Sequence, residues 1–209
     1  MRAKLREQGS PKRAVFIDKD GTLVVDVPYN VDPALIELTP GAASAMRTLA
    51  GAGYELFVVT NQSGVAKGLF PEAALGAVQD RIAALLADAG VALSGFYYCP
   101  HDPARAPCLC RKPQPGLIRH AAREHGVDLQ RSWMIGDILA DVEAGNRAGC
   151  RSALVDGGNV TWAELTEANV PTIVARNLED AARQILRIDV HRSQQPAPAV
   201  LGRPRGGAP

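Results

Sequence analysis

Four short stretches of this chain carry side chains that could act together on a phosphorus or carbonyl centre. "DKDGT" sets Asp18 and Asp20 two residues apart, ahead of Gly21 and Thr22. "TNQSG" offers Thr60 and Asn61, and "GDILAD" offers Asp137 and Asp141. "CPHDPARAPCLCRKP", residues 99–113, holds three of the four cysteines and one of the four histidines, directly before Arg111 and Lys112. Residues two apart on an extended chain share one side, so Asp18 and Asp20 would point the same way. Asp137 brought beside them would repel both unless a cation sat between. An all-oxygen set with room for water suits Mg²⁺. A carboxylate nucleophile, a Mg²⁺ site, the Thr60 hydroxyl and the compact charge of Lys112 suit phosphoryl transfer, where positioning and charge neutralisation supply most of the catalysis. Taken singly, each piece has a plainer reading as a turn, a helix cap or a solvated lysine; their order and spacing favour one site.

These pieces need a frame that brings them to one edge. Short apolar runs at 14–17, 54–60, 95–99, 132–135, 151–156 and 172–175 read as strands. Helical patterns at 40–53, 71–90, 116–126, 138–149 and 178–188 lie between and after them. Buried strands alternating with helices predict an α/β, Rossmann-like three-layer sandwich with a mostly parallel sheet covered on both faces. Ligands of such sheets bind beyond the carboxyl ends of the strands, which is where "DKDGT", "TNQSG" and "GDILAD" fall.

At 209 residues the chain can bury one full core, and 46% hydrophobic content supports a globular domain over residues 13–190. Residues 1–12 read as a flexible arm. Residues 191–209, rich in Pro, Gly and Arg, read as a disordered tail. A formal net charge of +1 gives no case for nucleic acid or an anionic membrane. No run reaches the roughly 18–20 apolar residues of a membrane span. The basic start "MRAKLREQGSPKR" leads into only the short run "AVFI", unlike a secretory signal. The expectation is a cytoplasmic monomer acting on a small molecule. A reducing compartment favours thiolates and metal over disulfides for the cysteine loop. Cys99, His101, Cys108 and Cys110 form a closed set of four N/S donors suited to tetrahedral Zn²⁺, with gaps tighter than in common zinc fingers. Cys150 reads as a buried core thiol, and His120, His125 and His191 as surface or helix residues.

Over about residues 13–156 the chain resembles the haloacid dehalogenase (HAD) superfamily phosphatases, through "FIDKDGT", "VVTNQSG", "RKPQPG" and "GDILAD" in that order. More narrowly, "CPH…CLCRKPQPG" resembles the signature of the heptose bisphosphate phosphatases and histidinol-phosphate phosphatases. The resemblance implies a HAD-like fold and a structural zinc in the loop. It implies that Asp18 is the nucleophile and that Asp20 is general acid, then base. Thr60 and Asn61 would hold the transferring phosphoryl oxygens. Lys112 would neutralise charge, and Asp18, Asp20 (through its carbonyl) and Asp137 would ligate catalytic Mg²⁺. Asp141 would stand behind the ligands. It implies hydrolysis of the 7-phosphate of a heptose 1,7-bisphosphate in nucleotide-activated heptose biosynthesis, with histidinol phosphate as the alternative substrate. A non-catalytic zinc module is the reading from another class; the presence of every expected catalytic residue weighs against it.

Residues 23–53 and 64–98 are too short for a large cap domain, so substrate choice falls to loops. "VVDVPYNVDP" (24–33) is expected over the entrance, as a packed loop more than a source of contacts from Tyr29 or Asn30. Arg111 and Lys67 are the expected partners of a second phosphate, since an Arg fork suits phosphate oxygens. Three positions depart from the family pattern. Lys19 and Lys67 stand where Arg is frequent, and Ile138 stands where heptose bisphosphatases often carry Lys. Lys19 is expected to point away from the metal and to matter little.

Overall fold

β1 (Arg13–Ile17) runs through the middle of the sheet because its last four residues, Ala-Val-Phe-Ile, are buried on both faces. The computed structural model describes residues 12–194, apart from 106 and 159. β1 pairs in parallel with β2 (Tyr54–Asn61) on one side and β4 (Trp133–Gly136) on the other. β3 (Gly95–Cys99) lies outside β2; β5 (Arg151–Val155) and β6 (Ile173–Ala175) extend the other side. The order is β3-β2-β1-β4-β5-β6, parallel throughout.

Side chains alternate along β1. Val15 and Ile17 face α1 (Ala42–Gly51), α2 (Ala74–Ala87) and α5 (Leu178–Gln194). Ala14 and Phe16 face α3 (Gly116–His125) and α4 (Leu139–Ala148). This is the three-layer α/β sandwich that the sequence predicts. The chain moves outward from β1 to β3, then returns to the far side of β1 as β4. A crevice opens where the winding direction reverses, beyond the carboxyl ends of β1 and β4. Asp18 follows β1 and Asp137 follows β4, so both acids stand at that switch point.

Among the described residues no cap domain interrupts the fold. Between β1 and α1 there is one three-residue 3-10 turn, Pro33–Leu35, and between β2 and β3 only α2. No helix is long and apolar enough to cross a membrane.

Most element ends shift by one to three residues from the sequence reading, and the two ends of the domain differ in substance. α5 runs to Gln194, past the expected end at 188 and into the segment read as tail. Polar residues take over the pattern there, but Asp189 is held: it accepts from the Tyr54 hydroxyl and pairs with Arg151, pinning the last turns to the sheet. Lys12, read as part of the arm, bridges to Val127. Residues 1–11 and 195–209, the rest of the expected arm and tail, lie outside the described residues.

Candidate active site

The backbone N–H of Asp18 donates to the Ile135 carbonyl at 2.9 Å, which ties the first residue beyond β1 to β4. The Asp18, Asp137 and Asp141 carboxylates can place one oxygen each within 4.8 Å of one another. Gly21 turns the chain away at φ +76°, and a Cβ there would lie 2.4 Å from Asp137 Oδ2. Gly136 leaves comparable room for Asp141, whose Oδ2 would be 2.2 Å from an added Cβ. The Thr22 hydroxyl donates to Asp137 Oδ1 at 3.0 Å and fixes that carboxylate.

Lys112 reaches into this acid cluster from the end of the cysteine loop. Its Nζ contacts Asp18 Oδ1, lies 2.6 Å from Asp141 Oδ1 and donates to the Val59 carbonyl at 3.0 Å. Burial by itself would pull the proton off this lysine, but Asp141 and Asp18 outweigh it and hold Lys112 charged. Burial pushes Asp18 up to about 7; Lys112 opposes that rise, and Asp141 and Asp20 add to it. Burial, then the charge of Asp18, raises Asp137 to about 6. Asp141 also rises, chiefly through burial. Asp141 is fully enclosed, in contact with Lys112 and in reach of the other two acids.

Asp20 turns elsewhere. Its Oδ1 pairs with Lys19 Nζ at 2.6 Å, and its Oδ2 accepts from Gln62 Nε2 at 3.1 Å. Lys19 is 3% exposed and is buried against the Asp20 carboxylate. Gln62 has no role in the sequence reading. Its Nε2 also donates to Thr60 Oγ1 at 2.9 Å, joining two expected site residues. Its place two residues past Thr60 was the available signal, since alternate residues of an extended chain share a side.

Asn61 is engaged across the site. Its side chain is committed to the Lys112 backbone, donating to the carbonyl at 3.2 Å and accepting the N–H at 3.0 Å. Lys67 donates to the Tyr29 hydroxyl at 2.6 Å and lies over that ring. This links the 24–33 loop to the segment after β2. Arg111 Nη1 reaches the His101 carbonyl at 3.5 Å. Lys67 and Arg111 thus have separate partners.

Cys99, buried at the end of β3, pairs in register with Asn61, so the cysteine loop starts beside the site. Its Sγ lies 3.0 Å from Cys110 Sγ and 3.6 Å from Cys108 Sγ; His101 Nδ1 lies 3.4 Å from Cys99 Sγ and 3.2 Å from Cys110 Sγ. The four donors thus converge on one point, as a set of zinc ligands must. The Arg111 N–H donates to Cys108 Sγ at 3.4 Å, tying the loop to the Arg-Lys pair.

The acid cluster fits a divalent cation by charge. Among the described residues, Asp18, Asp20, Asp137 and Asp141 are matched by two lysines, Lys19 and Lys112. When all four acids are ionised, two negative charges remain in a buried crevice. Asp18 and Asp137 would hold the ion, and it would supply charge neutralisation for the transferring phosphoryl group.

A parallel sheet with acids at its switch point, a buried lysine and a strand-end threonine defines the HAD-like class of hydrolases. A HAD-hydrolase-like family model matches residues 109–181. A D-glycero-beta-D-manno-heptose-1,7-bisphosphate 7-phosphatase of Photorhabdus laumondii is 43% identical over 147 residues, covering 68% of this chain and 77% of that protein. One of Salmonella typhi is 41% identical over 162 residues, covering 74% and 86%. Among solved structures, the D,D-heptose 1,7-bisphosphate phosphatase of B. bronchiseptica, complexed with magnesium and phosphate, superposes with a TM-score of 0.75 at 36% identity, covering 84% of this chain and 99% of that one. The chain belongs to the HAD-like hydrolases, within the group that contains the heptose bisphosphate phosphatases. It is a phosphoric monoester hydrolase.

Proposed function

We propose that this chain removes the 7-phosphate of D-glycero-β-D-manno-heptose 1,7-bisphosphate through an aspartyl-phosphate on Asp18. The observation that carries the reading is Lys112, buried and locked between Asp18 and Asp141 at the switch point. A lysine so placed aims the nucleophile, favours its ionised form against the burial that raises it, and offsets the charge of an arriving phosphoryl group. Relatives at 41% and 43% identity are named for the β anomer, which makes it the first substrate to test.

In the first step an Asp18 oxygen bonds to phosphorus and the ester P–O bond breaks. Asp20 gives its proton to the leaving alkoxide. In the second step water bonds to phosphorus, the Asp18–phosphorus bond breaks and Asp20 takes the water's proton. The Thr60 hydroxyl binds a phosphoryl oxygen. Asn61 contributes by holding Lys112. Asp18, Asp137 and the Asp20 carbonyl would hold Mg²⁺, which would supply charge neutralisation. Cys99, His101, Cys108 and Cys110 would hold zinc and so fix the loop that presents Arg111 and Lys112. Arg111 and Lys67 remain the candidates for the distal phosphate. A cytoplasmic monomer goes with this reading: one chain supplies every site residue, and none of the four cysteines is in a disulfide.

The test is phosphate release from the heptose bisphosphate and from histidinol phosphate, with and without Mg²⁺, by wild type and Asp18→Asn. The expected result is Mg²⁺-dependent turnover of the heptose ester, abolished in the variant. Faster turnover of histidinol phosphate would move the chain to the other branch, and an active Asp18→Asn protein would refute the covalent route.

A further inference from the structure

The Asp20 carboxylate is held from both sides by groups outside the phosphoryl-binding set. Lys19 Nζ is 2.6 Å from Oδ1, and Gln62 Nε2 donates to Oδ2 at 3.1 Å. Lys19 is not a surface lysine that happens to fall nearby. It is 3% exposed, and its carbonyl accepts from the Leu23 and Val24 N–H groups at 3.0 and 2.9 Å, which fixes the loop that carries Asp20. A buried lysine must keep a carboxylate partner, because an unpaired charge there is costly. Gln62, 6% exposed, spends its second N–H on Thr60 Oγ1 at 2.9 Å. A carboxylate can only accept, so the amide must present nitrogen to Asp20. With one Thr60 lone pair taken, the hydroxyl hydrogen is left to donate to a phosphoryl oxygen.

We propose that Lys19 and Gln62 are positioning residues that aim the Asp20 carboxylate for both proton transfers, with Gln62 also setting the donor direction of Thr60. The proposal rests on the acid–base role of Asp20 given above. Asp20 is a short side chain with one joint to solvent-facing freedom, and proton transfer needs its oxygen within hydrogen-bond reach of the reacting atom. Two fixed donors on its two oxygens confine it to one orientation.

The experiment uses the metal-loaded protein, two substrates and the variants Lys19→Met, Lys19→Arg, Gln62→Leu and Asp20→Asn. With p-nitrophenyl phosphate the first step forms the Asp18–phosphorus bond and releases p-nitrophenolate, which needs no proton. Only the second step, attack by water, needs Asp20 as base. Lys19→Met should therefore keep a rapid p-nitrophenolate burst of about one equivalent while steady-state turnover falls about 10–100-fold, a part of the 100–10,000-fold that general acid–base catalysis supplies; Gln62→Leu, which also frees the Thr60 hydroxyl, should slow the burst as well. On the heptose ester, whose alkoxide needs a proton, the first step should slow as well. Lys19→Arg, which keeps a donor to carboxylate, should recover most of the loss. In Lys19→Met a burst slowed in step with turnover would mean a distorted site and would overturn the proposal, as would unchanged kcat in both variants. If Asp20→Asn keeps full activity on the heptose ester, it is the acid–base reading that fails.

Discussion

Asn61 grips Lys112 by its backbone rather than facing the crevice with its amide. Nδ2 donates to the Lys112 carbonyl at 3.2 Å and Oδ1 accepts its N–H at 3.0 Å, across 51 residues of sequence. The end of β2 thereby fixes the lysine that meets Asp18. Asn61→Ala should lower kcat about tenfold, the equivalent of about 1.4 kcal/mol of lost alignment, with little change in KM. Steady-state kinetics on the heptose ester would check this. A rise in KM at constant kcat would restore Asn61 to direct phosphate binding.

Lys112→Met should be damaging in two ways. Removing a buried cation from between two carboxylates costs about 3–5 kcal/mol of stability by precedent for broken buried pairs. Loss of the charge should also reduce kcat by about 100–1,000-fold, the scale seen when one preorganised donor is removed. Urea unfolding and phosphate release on the same preparation separate the two effects. A protein of normal stability would place Lys112 outside the acid cluster in solution.

Stability and Mg²⁺ should be linked through pH. Asp18 is raised from an ordinary 3.8 to about 7 and Asp137 to about 6, both first through burial. A carboxyl raised on folding favours the folded state most below its unfolded value and loses that contribution as pH climbs through the folded one. Metal-free protein should therefore weaken between about pH 4 and pH 7 as these acids ionise against each other. Mg²⁺ binds the ionised acids, so the Tm increase it gives should be larger at pH 7.5 than at pH 5. Thermal melts at both values, with Mg²⁺ and with chelator, would show it; an equal increase at both would separate the metal from these acids.

Cys108→Ser should lower both zinc content and activity while leaving the sheet folded. Cys108 Sγ accepts from the Arg111 N–H, one residue before Lys112, so slack in the loop reaches the cation at once. Metal analysis, circular dichroism and turnover on one sample would test the chain of effects. Normal turnover in a zinc-free variant would make the loop irrelevant to Lys112.

The strands and helices were legible because their apolar runs are short, uninterrupted and bounded by polar residues. β1 reads "AVFI" before "DKDGT", and β4 reads "WMI" before "GD". Asp18 and Asp137 were legible as strand-end acids for the same reason, since each sits just past the end of an apolar strand. The zinc set was legible through residue type, because cysteine and histidine gathered in 12 residues of a cysteine-poor chain have few other uses. α5 was read short because polar residues enter after Ile188, and its final turns are held by Asp189 meeting Tyr54 and Arg151 from distant strands. No local pattern encodes that partnership.

The same boundary runs through the site. Sequence alone determined which chemical groups the protein possesses and that the strand ends would carry them, because burial pattern and residue type are local properties. Only the tertiary structure decided how those groups pair. It sends Lys19 inward to Asp20, turns Asn61 onto the backbone of Lys112, sets Gln62 between Asp20 and Thr60, and ties Lys67 to Tyr29. Pairing depends on strand register and on which side chain reaches a buried partner first. In a low-dielectric crevice each charge must find its counterpart, and that balance is struck among residues far apart in the chain.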